Sequence, residues 1–88
     1  SSFETTTHVT RVQLRNLGSQ PKAIEVVERI PVSEIEKVVI ELDRELTRPA
    51  PTRFESGFVT WQIQLAAYSS LELQLTHIVR RHSDVHGI

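Results

Sequence analysis

The chain has 88 residues, 39% of them hydrophobic and none of them cysteine. That is one domain's length, near the lower bound for an unaided core, and it excludes disulfides, thiolate chemistry and cysteine-based zinc sites. Ten basic residues against eleven acidic ones leave a net charge of −1, so no net field draws the chain to nucleic acid or an anionic membrane.

The dominant hydrophobic period is two, which is the pattern of half-buried strands. A first strand is predicted from about Thr5 to Leu14, rich in Thr, Val and Gln, with Val12 and Leu14 facing inward. Asn16-Leu17-Gly18-Ser19-Gln20-Pro21 is a dense turn signal after it. In the second strand Ile24, Val26 and Ile30 share a face with Glu28. That carboxylate either emerges at the sheet's end, near solvent or an arginine, or forms a partly buried ion pair that fixes register. Pro31 ends the strand, because proline cannot donate to a ladder.

Ser33-Glu34-Ile35-Glu36 has the look of a helix cap, whereas Val38-Val39-Ile40 favours a strand. The reading is a turn at 33–36 and a strand over about 37–43. Arg48-Pro49-Ala50-Pro51-Thr52, with Ser56-Gly57, is read as a longer loop. Val59, Trp61, Ile63 and Leu65 alternate with Thr60, Gln62 and Gln64, and Leu71, Leu73, Leu75, His77 and Val79 alternate with Glu72, Gln74 and Thr76. Residues 80–88 read as a flexible tail. Five or six strands at this turn density predict an all-β, antiparallel sandwich or barrel over residues 1–88. Trp61, Ile63, Leu71, Leu73, Val12, Val26 and Ile40 are expected to be buried together.

The order of three segments carries a resemblance. Leu14-Arg15-Asn16, then Val26-Val27-Glu28-Arg29-Ile30-Pro31-Val32-Ser33, then Gly57-Phe58-Val59-Thr60-Trp61-Gln62-Ile63-Gln64-Leu65 resemble the C-terminal β domain of the mucoidy-inhibitor-A-like bacterial proteins. That resemblance covers nearly the whole chain and implies an immunoglobulin-like sandwich following an N-terminal coiled coil. It carries no catalytic residues to transfer. The chain departs from the pattern at Ala66-Ala67-Tyr68-Ser69-Ser70, where a Pro-Gly turn is usual. It also departs at His77, usually an aromatic, and at His82, usually a proline.

No constellation for chemistry emerges. His82 and His86 flank Asp84 at metal-ligand spacing, but without a third ligand or a helical stripe. No serine or histidine sits in a nucleophile elbow, and Gly18, Gly57 and Gly87 are too scattered to cradle phosphate. The pairs Glu34/Glu36 and Glu41/Asp43 read as a solvated face. Arg80-Arg81-His82 and the Arg11/Arg15 pair lack the aromatic platforms of a nucleic-acid surface. No apolar run approaches the roughly 18 residues of a membrane span. Neither an initiator Met nor a signal peptide is present, so the chain is expected to be a piece of a longer protein.

The expected function is therefore a non-enzymatic interaction or assembly module without cofactor or metal, its partner a second copy or the remainder of its own protein. The alternative is a glycan- or peptide-binding domain of a cell-envelope protein. The expected interaction surface is the outward series Val9, Arg11, Gln13 and Arg15 on a first strand protected only by its two arginines. Val39 and Phe58 are exposed apolar residues that, with Val9 and Val27, are expected to form an outer patch. Thr10→Pro is expected to remove one ladder donor from the first strand without disturbing Val12 or Leu14.

Overall fold

A computed structural model describes residues 3–82. The chain is all-β, with six strands in chain order: β1 Phe3–Arg15, β2 Lys22–Arg29, β3 Val38–Leu42, β4 Arg53–Glu55, β5 Phe58–Leu65 and β6 Ser70–His82. They form two antiparallel sheets of three strands, ordered β1-β6-β3 and β2-β5-β4. The inward residues of both sheets meet in one apolar cluster. Val59, Trp61, Ile63 and Leu65 of β5 are buried with Leu73 and Leu75 of β6 and with Ile30. Val12, Leu14, Ile24, Val26, Ile40, Leu42, Phe54 and Leu71 pack against them, half-buried. Of the expected core, Trp61, Ile63 and Leu73 are thus buried, and the other four line the cluster's margin. The Trp61 indole is 1% exposed, and its Nε1–H donates to the Pro49 carbonyl at 2.8 Å, so its one polar group is satisfied.

Two local readings change, and one left open is decided. The segment before β5 is not all loop, because Arg53-Phe54-Glu55 pairs with Phe58-Val59-Thr60 as β4. Ser56 and Gly57 make the two-residue turn, with φ of 53° and 81°; left-handed backbone at both central positions matches the twist of the flanking strands. A Cβ at Gly57 would lie 2.8 Å from a methyl of Val32 and 3.0 Å from the Ile30 carbonyl oxygen, so the position accepts only glycine without rearrangement. Second, Arg80, Arg81 and His82 belong to β6 rather than a tail. They pair with Thr5, Glu4 and Phe3 on one side, and Arg80 and Arg81 pair with Val39 and Val38 on the other. His86 and Asp84, with the rest of 83–88, lie outside the described residues. Third, Glu28 faces inward and is half-buried, with no ion pair among the described residues. Register in this sheet therefore does not depend on a Glu28 salt bridge.

The cap-like segment folds as expected, into a turn. The Ser33 hydroxyl accepts from the Ile35 N–H at 3.2 Å, and the Val38 N–H donates to the Ile35 carbonyl at 3.0 Å. After β3 the chain bows away from β6 and returns to bridge Gln74 through Arg48. Within the bow, the Thr47 hydroxyl accepts the Thr76 N–H at 3.1 Å and donates to the Asp43 carbonyl at 2.6 Å. A side chain thus replaces a missing ladder acceptor, and the same bow covers the fully buried Thr76 on the sheet's outer side, where its hydroxyl donates to the Leu46 carbonyl at 2.7 Å.

The turn after β1 is organised by Asn16, a buried polar residue. Its Oδ1 accepts from the Gly18 N–H at 3.0 Å, and its Nδ2 donates to the carbonyls of Gln20 at 2.8 Å, Ala66 at 3.1 Å and Leu65 at 3.3 Å. One amide thereby ties the β1–β2 turn to the β5–β6 turn.

Candidate functional site

β1 and β6 are each thirteen residues long and paired throughout, whereas β2 and β5 have eight residues and β4 three. At roughly 3.3 Å per residue, the β1–β6 ribbon runs about five residues beyond the opposing sheet. The long axis of 56 Å against widths of 21 and 19 Å records that overhang. In the overhanging part, β1 is exposed on both faces except at Thr6.

β1 is an edge strand, with β6 on one side and no described strand on the other. The direction of its backbone follows from one bond. The Asn16 N–H donates to the Ser69 carbonyl at 2.8 Å, one step beyond the Arg15–Ser70 pair. In an antiparallel ladder, hydrogen-bonded and non-bonded pairs alternate. The even residues of β1 therefore bond to β6, and Val9, Arg11, Gln13 and Arg15 turn their N–H and C=O groups to the free edge. The N–H of Thr10 belongs to the β6 ladder. Proline there removes a ladder donor, but one that pairs within the sheet and not at its edge; the N–H of Thr7 is the one that faces the free edge.

Side chains follow the same parity. Val9, Arg11, Gln13 and Arg15 all lie on the outer face of their sheet and are exposed. Arg11 leans across β6 to Glu72, with Nε to Oε1 at 3.4 Å, so its charge is drawn away from the free edge. On the far side of β6, Arg80 pairs with Glu41 of β3. These arginines are each matched by a carboxylate and form no continuous basic stripe.

The four exposed apolar residues do not gather into one patch. Val9 and Val39 lie on the outer face of the β1-β6-β3 sheet, opposite Thr76 and Arg80 respectively. Val27 and Phe58 lie on the outer face of the other sheet, where the Arg29 guanidinium sits over the Phe58 ring at 5.4 Å. The two pairs point in opposite directions. Sequence reading missed a groove of about 430 Å³ lined by Ile30, Val32, Ile35, Ile40 and Phe54. Phe54 belongs to the unforeseen strand β4, and no period within three residues could signal it.

On the inward face of the ribbon, His8 and His77 sit directly opposite each other and stack, with centroids 4.8 Å apart and planes 10° from parallel. Burial first, and then repulsion from His8, lowers the pKa of His77 below the ordinary imidazole value. In unfolded chain that proton binds near pH 6.5. Between the two values the unfolded state holds more protons, so stability is complete above about pH 6.5 and declines as the pH falls through it. Melting temperatures at pH 7.5 and pH 5.5 are expected to show a smaller acid-induced drop in His77→Gln than in the wild type. Equal drops would remove His77 from the acid response.

Among the described residues no group of three or more His, Cys, Asp or Glu is placed to hold a metal ion, and no helix is long and apolar enough to cross a membrane. A family model described as "Domain of unknown function (DUF4139)" matches residues 1–81. The chain belongs to this family. Neither the curated proteins nor the solved structures hold a match to this DUF4139 chain.

Proposed function

We propose that this DUF4139 domain is a non-enzymatic assembly module that associates with a second copy through the free edge of β1. The resemblance to mucoidy-inhibitor-A-like proteins and an immunoglobulin-like arrangement of the two sheets belong to the same reading. Their support is the shared core and the order of the Leu14-Arg15-Asn16, Val26–Ser33 and Gly57–Leu65 segments.

The observation that carries the proposal is a thirteen-residue edge with no proline or lysine in it. Proteins normally shorten, bend or charge such an edge, because its unpaired N–H and C=O groups are a template for another strand. The other edges show those protections. β2 is bracketed by Pro21 and Pro31 and begins with Lys22, β3 has five residues and β4 three. Strand addition at β1 supplies affinity through main-chain bonds, with side chains setting register.

The ligand-binding alternative draws support from the apolar groove near Ile35 and Phe54, which offers room for an apolar peptide side chain. It has no stacking platform in Trp61, which is committed to the core.

Sedimentation velocity over a wide concentration range tests the main reading. Wild type is expected to self-associate, and Thr7→Pro to weaken this by at least about tenfold, about 1.4 kcal/mol, while melting like the wild type. Thr10→Pro is expected to lose at least about 1 kcal/mol of folding stability, through its broken ladder bond. A wild type that stays monomeric into the high micromolar range would overturn the proposal.

A further inference from the structure

We propose that the two copies pair antiparallel about a twofold axis through Val9, so that the β1-β6-β3 sheets of both molecules join into one six-stranded sheet. This rests on the edge-pairing reading above and adds to it the orientation and register of the partner.

Backbone parity restricts the choice. Only residues with outward N–H and C=O groups can face each other in the bonded pairs of a new ladder. On β1 these are the odd-numbered residues, as fixed by the Asn16–Ser69 bond. Among the registers that obey this rule, one uses the full length of the Phe3–Arg15 strand in both copies. It sets Val9 against Val9, Thr7 against Arg11, Thr5 against Gln13 and Phe3 against Arg15.

Side-chain chemistry selects the same arrangement. Both outer-face charges of β1, Arg11 and Arg15, lie in its C-terminal half, and the N-terminal half offers Phe3, Thr5 and Thr7. Parallel pairing of the same free edge requires a twofold along the strand, which turns one copy over and sets its outer face on the inner side of the other, so the two sheets cannot continue with matching faces. Antiparallel pairing sets each arginine against an uncharged residue. It also places Arg15 beside the half-exposed Phe3 ring of the other copy. The molecule already contains that contact, since Arg29 and Phe58 are directly opposite in the antiparallel β2–β5 pair and the guanidinium lies over the ring. The dimer repeats it at each end of the new ladder. The antiparallel twofold uses the one free edge of β1 in both copies and so closes on itself.

The chain contains no cysteine, so single thiols can report the register. Directly opposite residues of a bonded antiparallel pair have Cα atoms about 5.5 Å apart, within disulfide range. Under mild oxidation, at a concentration where the wild type is dimeric, Val9→Cys is expected to give a disulfide-linked dimer as its main product. Thr7→Cys alone and Arg11→Cys alone place their thiols about 13 Å from their own counterparts and are expected to remain unlinked. Mixing Thr7→Cys with Arg11→Cys is expected to yield the mixed dimer, and this arm leaves Val9 untouched should its substitution weaken association. Dimeric protein in which neither Val9→Cys nor the mixture crosslinks would overturn the register and leave edge pairing standing. Loss of the dimer from the wild type itself would overturn both.

Discussion

Replacing Trp61 with alanine is expected to remove about 3–5 kcal/mol of folding stability. The indole is 1% exposed and stands in the middle strand of its sheet, with Val26 directly opposite on β2 and Val59 and Ile63 beside it on the same face. Truncation leaves a large cavity, and neighbours held in two ladders have little freedom to collapse into it. It also strips the Pro49 carbonyl of its donor, a further loss of about 1 kcal/mol or more. Small domains have about 5–15 kcal/mol in total, so the variant will stand near the folding threshold. Urea denaturation followed by far-ultraviolet circular dichroism measures the loss without relying on the removed fluorophore. Trp61→Phe separates the terms: it keeps most of the apolar contact and removes the indole N–H, so it should fall between wild type and alanine. A loss under about 1 kcal/mol for alanine would show that the cluster does not depend on the indole.

Much of this architecture is legible in the sequence because alternation is a direct record of which face is buried. β1, β2, β3, β5 and β6 all carry at least five residues, enough for a period of two to stand out. β4 has only Arg53, Phe54 and Glu55, too few to show a period, although Ser56-Gly57 is the kind of pair that closes a two-residue hairpin. The burial of Thr76 was equally hidden. Its side chain lies on the polar side of the alternation, and only the returning bow of Leu46 and Thr47 covers it. Nothing near position 76 in the sequence announces a loop thirty residues upstream.

The candidate site was legible in part, for a related reason. The exposed series Val9, Arg11, Gln13 and Arg15 follows from side-chain alternation, and so does its shared face. Which edge the backbone of each residue addresses is a different matter, because N–H direction depends on where the neighbouring strand lies. It took the Asn16–Ser69 bond to place the Thr10 N–H in the β6 ladder and the Thr7 N–H outside it. Likewise, four exposed apolar residues are visible in the sequence, but their division between two opposite outer faces depends on sheet order.

Asn16→Ala is expected to cost about 2–4 kcal/mol, a large effect for a single turn residue. The side chain spreads the two hydrogens of its amide over the carbonyls of Gln20, Leu65 and Ala66, and its oxygen holds the Gly18 N–H. Because Asn16 is 4% exposed, water has little access to replace those bonds, and the orphaned groups keep their desolvation penalty. The damage should also be spread out, since the amide joins two turns that are fifty residues apart in sequence. Hydrogen exchange is expected to rise both in residues 17–21 and in residues 66–69 of the alanine variant. Asn16→Asp is the sharper probe. It keeps the acceptor for Gly18 but replaces the donating group with a charged oxygen facing three carbonyls, so it should be at least as destabilising as alanine. Equilibrium denaturation at neutral pH checks the order. An aspartate variant as stable as wild type would show that the turns are held by their backbone bonds alone, among them Asn16 N–H to Ser69 and Tyr68 N–H to Gly18.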